Sequence, residues 1–315
     1  MHSERTAYIR SISKQQLVRS HISSRKLNPF FFSLLSLPGG DPTGVFFFHR
    51  QHSAIASRAI LRGMNEALEG NLIGRESNVV PGRFGEPLQV AYAQYSPGGG
   101  CAAPRRPLFL CLHGWGSNEA DLADMMRYVA PYNDFASLRA PLVLQEAGSG
   151  EFGFGQGAYS WFHDCVPSGD DLDRDAFAAA SAIDDWVAEN VPEDRTVVPI
   201  GFSQGGLLAI HLLRVHPERY LASVSLSGFL APGSVAGTAP ADDRLAALNV
   251  PVFYGYGNSD TVIPKPEIFA TAAWLDEHTF LTAKGYRGLD HAVSLDEFSD
   301  LRDWLAMHDI APGVL

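Results

Sequence analysis

Cysteine is scarce in this chain: Cys101, Cys111 and Cys165 are the only three among 315 residues. An odd, sparse set argues against a disulfide framework and suits a reducing compartment, so a cytoplasmic protein is expected. Long apolar runs are missing as well. The longest, Pro29 to Leu37, stops at Pro38-Gly39-Gly40 and is too short to cross a bilayer, so no stable membrane insertion is expected. No H-E-x-x-H and no C-x-x-C occurs. The acidic run Asp170 to Asp175 lacks the central glycine and the twelfth-position Glu of a calcium loop, and reads as an acidic helix start. With no Walker A sequence either, neither a metal nor a cofactor is implied.

Basic residues are few in most of the chain. Residues 64–315 carry fifteen Lys/Arg against thirty-three Asp/Glu, a net of −18, whereas residues 1–63 carry nine against two, a net of +7. An acidic body disfavours nucleic acid and anionic membrane surfaces as partners. The charge step also marks a boundary. Residues 1–63 are Arg- and Ser-rich and show little periodicity. They read as a transit-like segment, as a poor secretory signal, as an extension ahead of a start at Met64, or as a disordered or membrane-touching arm. The sharp change at Met64-Asn65-Glu66 favours the extension. Residues 64–315 read as one domain with its core at about 80–312.

Within that domain, apolar runs of two periods alternate. Leu88 to Tyr95 alternates apolar and polar like a half-buried strand, and Leu108 to Leu112 is continuous like a central parallel strand. Asn118 to Val129 predicts a helix capped by Asn118. A strand over Phe135 to Leu144 and an alanine-rich helix over Arg174 to Val191 follow. Further strands are expected at Tyr220–Leu226, Val252–Gly255 and Phe280–Gly285, and helices at Ile268–His278 and Leu295–His308. Strands alternating with helices of this length imply a mostly parallel sheet with helices on both faces.

One stretch carries chemistry. Gly201-Phe202-Ser203-Gln204-Gly205-Gly206 follows the strand-like run Thr196 to Ile200 and opens the helix-like run Leu207 to Val215. A serine on a sharp turn between strand and helix is presented with its hydroxyl exposed, the arrangement of a nucleophile elbow. Gly201 and Gly205 would let strand and helix approach. An alcohol needs a base, and His291, in a loop between the last strand and last helix, is the candidate. His211 and His216 ride the helix leaving the elbow and cannot turn back. Asp260, just past the strand at Val252 to Gly255, is the candidate acid that orients the base, with Asp290 a second choice. The order Ser, Asp, His is that of an α/β-hydrolase. A developing oxyanion needs two donors. The Gln204 amide would be one and the Trp115 amide, in Leu112-His113-Gly114-Trp115-Gly116, the other. His113 then shapes the loop and is not a second base. Trp161, Phe152 and Phe154 could wall an acyl pocket or be ordinary core.

These segments resemble the carboxylesterase/phospholipase family of α/β-hydrolases, which includes acyl-protein thioesterases and lysophospholipase-like bacterial esterases. Leu112 to Glu119 looks like its oxyanion loop, Arg139-Ala140-Pro141 like its strand-end signature, Ser160-Trp161-Phe162 like its substrate-loop motif, and Leu226-Ser227-Gly228 follows the elbow as it does there. The resemblance spans most of residues 87–308. It implies small ester or thioester substrates, a Ser203–Asp260–His291 triad and a possible homodimer. Phe162-His163-Asp164 departs from the family's pattern by inserting a histidine before the acid, and Tyr256 stands where a histidine often precedes the acid's loop. Two other activities stay open: a serine peptidase or amidase with the same triad, and a non-catalytic binding protein of the same fold.

Overall fold

The computed structural model describes residues 45–46, 92–96, 106–146, 157–164 and 168–311. All of them belong to the unit 31–315. Most of the basic N-terminal stretch, Met64, Phe152, Phe154, Cys101 and Cys165 lie outside the described residues.

The strands are β1 (Val45–Phe46), β2 (Tyr92–Ser96), β3 (Leu108–Leu112), β4 (Phe135–Arg139), β5 (Leu142–Gln145), β6 (Ala158–Ser160), β7 (Val197–Phe202), β8 (Ser223–Leu226), β9 (Pro251–Gly257), β10 (Phe280–Tyr286) and β11 (Val293–Ser294). The helices are α1 (Glu119–Val129), α2 (Gly169–Asn190), α3 (Gln204–Val215), α4 (Asp242–Leu248), α5 (Lys265–His278) and α6 (Leu295–Met307). Among the described residues the main sheet has seven strands in the order β10-β9-β8-β7-β3-β4-β2. Neighbours are parallel except at the edge, where β2 runs antiparallel to β4. The α/β-hydrolase fold expected from the sequence is the one observed. Two small pairs stand apart, β5 with β6 and β1 with β11. The second joins residues 45–46 to the segment just past His291.

Continuous apolar strands feed two cores because successive side chains point to opposite faces. Leu108, Leu110 and Leu112 of β3 join one cluster, with Ile183 of α2, Leu208 of α3 and Leu275 of α5. Phe109 and Cys111 of the same strand join the other, with Met125 of α1 and Leu301 of α6. Cys111 is wholly buried, which pushes its thiol far above the usual range and leaves it inert at neutral pH. β3 has β4 on one side and β7 on the other, so the chain reverses direction across the sheet there. Ligand sites of open α/β sheets form at the carboxyl ends of strands beside such a switch, here β3 and β7.

Several boundaries differ from the sequence expectation, each for a local reason. The strand expected over Phe135 to Leu144 breaks at Ala140-Pro141, because Pro141 has no N–H to give a ladder. The second half forms β5 and pairs with β6, a hairpin the sequence did not announce. Helix α2 starts five residues early, at Gly169, where extended Ser168 takes the N-cap position and Asp170 and Asp171 fill the first turn. Helix α5 starts at Lys265 on Pro264. Helix α4 was not anticipated; it carries only one buried residue, Leu245, and so has no apolar period to read.

One carboxyl in the second core is out of place. Glu297 of α6 is fully buried against Gly255 of β9, and among the described residues neither of its oxygens has a hydrogen-bond partner. Burial raises it from 4.5 to about 8, with Asp300 adding a smaller push and the nearby Ser294 backbone opposing it. Between these values the folded chain holds a proton that the unfolded chain releases. Stability is therefore highest below about pH 4.5 as far as this group is concerned, and falls as pH rises to about 8. Glu297→Gln should flatten that dependence by ~1 kcal/mol per pH unit. Urea unfolding at pH 5.5, 6.5 and 7.5 checks this, and equal slopes in both proteins would refute it.

Candidate active site

Ser203 stands between β7 and α3 with φ 56° and ψ −116°, a backbone conformation that non-glycine residues seldom adopt. Two glycines make the turn possible. A methyl on Gly201 would overlap the Gly205 carbonyl, and one on Gly205 would overlap the Leu112 carbonyl of β3. The turn is held from both sides: Ser203 N–H donates to Leu226 O at 2.9 Å and Leu207 N–H to Ser203 O at 3.0 Å.

The structure brings Ser203, His291 and Asp260 together from three strand ends. Ser203 Oγ lies 3.0 Å from His291 Nε2, and His291 Nδ1 lies 2.8 Å from Asp260 Oδ2. The roles follow from the partners: the carboxylate only accepts, so Nδ1 carries the proton and donates, and Nε2 accepts from the hydroxyl. All three are buried. Asp260 Oδ1 accepts from Val262 N–H and Ile263 N–H, both at 2.8 Å, which fixes the carboxylate. The imidazole packs on Phe202, with centroids 4.9 Å apart. Asp290 takes no part in the contact to the ring; its carboxylate bonds Thr261 and the His291 backbone.

The loop after β3 wraps the other side of the serine. A Cβ built on Gly114 would stand 3.3 Å from Ser203 Cβ, so Trp115 follows immediately beside Ser203. Ser117 N–H closes the turn on Gly114 O at 3.3 Å, and Gly116 N–H bonds Tyr159 O at 2.9 Å. His113 is wholly buried beneath it. Its Nδ1–H donates to Gly114 O at 2.7 Å, and its Nε2 accepts from Ala140 N–H at 3.1 Å. Burial lowers it to about 4, outweighing the pull of that carbonyl, so it is neutral and fully engaged in the loop. Arg139 reinforces the assembly, clamping Glu119 of α1 through two bonds at 2.7 and 2.5 Å.

Gln204 does more than its place in the elbow announced. Its side chain is buried and gathers residues 160–164: Oε1 accepts from Ser160 Oγ–H at 3.1 Å and Trp161 N–H at 3.3 Å, and Nε2 donates to Asp164 O at 3.0 Å. Trp161 is 1% exposed, lies in the first core cluster and donates its indole N–H to His113 O at 3.0 Å. His163, the departure noted in this segment, is tied to α2, its amide and imidazole both bonding Asp175. No periodicity or spacing could reveal these links, since each joins residues more than ten positions apart.

A model of the phospholipase/carboxylesterase family matches residues 101–309. The chain belongs to that family. It is an ester-hydrolysing enzyme. Acyl-protein thioesterase 1 of Kluyveromyces lactis is 25% identical over 222 residues, covering 65% of this chain and 93% of that protein. The crystal structure of Zea mays acyl-protein thioesterase 2 superposes with a TM-score of 0.53 at 18% identity, over 69% of this chain and 98% of that one. Esterase PE8 gives 0.52 at 22% identity, over 70% and 98%. At such identities the two structures speak for the fold.

The Gln204 clamp can be tested on folding. Gln204→Ala leaves the backbone amide in place but strips Trp161 N–H of a buried acceptor, while Ser160 Oγ keeps Phe162 O at 2.5 Å. A loss of about 1–3 kcal/mol in urea unfolding is expected, with faster proteolytic cutting near residues 160–164. Unchanged cutting would mean that the segment is held by other contacts.

Proposed function

We propose that the protein is a serine carboxylesterase that hydrolyses esters or thioesters of small to medium acyl chains through an acyl-Ser203 intermediate. The observation supporting this most is the directional chain Ser203 Oγ–H to His291 Nε2, His291 Nδ1–H to Asp260 Oδ2, built on a strained turn.

The steps follow from the donors and acceptors. His291 takes the hydroxyl proton as Ser203 Oγ attacks the acyl carbon, and Asp260 steadies the imidazolium. The carbonyl oxygen becomes an oxyanion. We assign its donors to the Gln204 and Trp115 amides, the first supported by the positive end of α3. On collapse, His291 returns the proton to the leaving alkoxide or thiolate, and the acyl group stays on Ser203. Water then enters, gives its proton to His291 and attacks the acyl-enzyme. The carboxylic acid leaves as the proton returns to Ser203. Trp161, bonded to His113 O, would floor the acyl site; Phe152 and Phe154 stay candidates for its wall on sequence alone.

Hydrolysis of p-nitrophenyl esters from acetate to palmitate, beside a p-nitroanilide series, tests this reading. Ser203→Ala should abolish turnover and fluorophosphonate labelling, and Asp260→Asn should lower kcat by about 10⁴-fold by misdirecting the His291 tautomer. Ester turnover surviving in Ser203→Ala would overturn the assignment. An enzyme faster on anilides than on esters would point to an amidase.

A further inference from the structure

Asp290 forms a second tie between the loops that carry the acid and the base. Its Oδ1 accepts three hydrogen bonds: from Thr261 N–H at 2.8 Å, from the Thr261 hydroxyl at 2.9 Å, and from His291 N–H at 2.8 Å. Thr261 follows Asp260, and Asp290 precedes His291. The dipeptides Asp260-Thr261 and Asp290-His291 are thus joined twice and reciprocally. The His291 ring reaches the Asp260 carboxylate, and Thr261 reaches the Asp290 carboxylate. We propose that Asp290 is a positioning residue that locks the acid loop to the base loop, so that Asp260 Oδ2 meets His291 Nδ1. The inference rests on the reading of Ser203, His291 and Asp260 as the reacting set.

The backbone explains why a side chain is needed here. β9 and β10 are parallel neighbours, and their outgoing loops stay in contact for a few residues. Asn258 N–H bonds Tyr286 O and Ser259 N–H bonds Leu289 O, both at 2.9 Å. The approach at Gly257 is so close that a methyl there would overlap the carbonyls of Leu289 and Asp290. The cross-loop backbone bonds stop at residues 259 and 289. Asp260 and His291 lie just beyond them, where the Asp290 carboxylate supplies the next rung. Misplacement of a reacting group by about 1 Å can cost roughly a hundredfold in rate, so this rung sits where register matters most.

A carboxylate suits the task. One oxygen receives three donors, which an ionised acceptor does better than a neutral one. Partial burial pushes the Asp290 carboxyl up, but the bonds from Thr261 and from the His291 amide outweigh it, and it lies below the usual carboxylate range. It is ionised at neutral pH. The residue is exposed, so shortening its side chain opens no cavity in the core. Positioning can therefore be separated from folding.

The test compares wild type, Asp290→Ala, Asp290→Asn, Thr261→Val and Ser203→Ala as full chains. Three quantities are measured: the second-order rate of fluorophosphonate labelling, kcat and KM on p-nitrophenyl butyrate, and the thermal midpoint by circular dichroism. Asp290→Ala should lose about tenfold or more in kcat and labelling rate, with KM within about twofold and the midpoint within a few degrees. Asp290→Asn keeps an acceptor oxygen and should recover to within about threefold of wild type. Thr261→Val, which removes only the hydroxyl donor, should fall between. Wild-type rates in Asp290→Ala overturn the inference. So do equal losses in the Ala and Asn variants, or losses that merely track the thermal midpoint. A folded wild type that is not labelled sinks the reading of Ser203 itself and the inference with it. Labelling that needs Ser203 but ignores Asp290 sinks the inference alone.

Discussion

The arrangement depends on one close approach, that of the β7–α3 turn to the end of β3. Only with side chains missing at 201 and 205 can the helix start against the Leu112 carbonyl, and only then is Ser203 lifted into its left-handed conformation. That conformation costs on the order of 1–3 kcal/mol and persists where its surroundings over-determine it. Here they do so with two backbone bonds, one to β8 and one within α3. Replacing Gly205 with alanine should therefore lower the unfolding free energy by about 3 kcal/mol, the upper end of overpacking losses, and should also disturb the serine. Urea unfolding together with fluorophosphonate labelling measures both, and a stable, fully labelled Gly205→Ala would show that the approach can relax.

Around this turn, buried polarity is spent on position. His113 and Gln204 have their side-chain polar atoms bonded to backbone groups of another segment or of their own loop, as does one oxygen of Asp260, whose other oxygen meets His291. Such bonds add little net stability each, but leaving one unmade in a dry site costs more than making it gains. The loops are thereby held in one geometry without needing large apolar contacts of their own. Glu297 is the contrast. Its carboxyl sits in the apolar layer between α6 and β9 and stays neutral there over most of the physiological range.

The parts of the site legible in sequence were those written locally. Ser203 was announced by a strand, a tight glycine turn and a helix in succession. Asp260 and His291 were placed because a parallel sheet puts functional loops after its strands, so chain order narrows the choice. Asp290 was a second choice to Asp260 for the contact to His291, but its tie to Thr261 could not be read before the register of β9 on β10 was known. The Gln204 side chain was hidden behind its own amide, and the ties of Asp175 and Tyr159 to the site loops depend on how α2 and the β5–β6 hairpin pack. None of these leaves a trace in hydrophobic period. The hairpin itself was lost because Pro141 splits a run that otherwise reads as a single strand.

Sequence distance sharpens the same point. His291 meets Ser203 across 88 residues and Asp260 across 31. The elbow is fixed by its neighbours in the chain, but His291 and Asp260 are fixed by loops that must find each other after β9 and β10 have paired. Loop-borne groups lose more freedom on ordering than strand-borne ones, so their geometry needs ties beyond the sheet. The backbone bonds at 258 and 259 begin that ordering, the Asp260 carboxylate caps Val262 and Ile263 to finish one loop, and Asp290 joins the two. Built this way, Ser203 is held by close packing and His291 by hydrogen bonds. Substitutions in the first group should therefore show in folding, and those in the second in turnover.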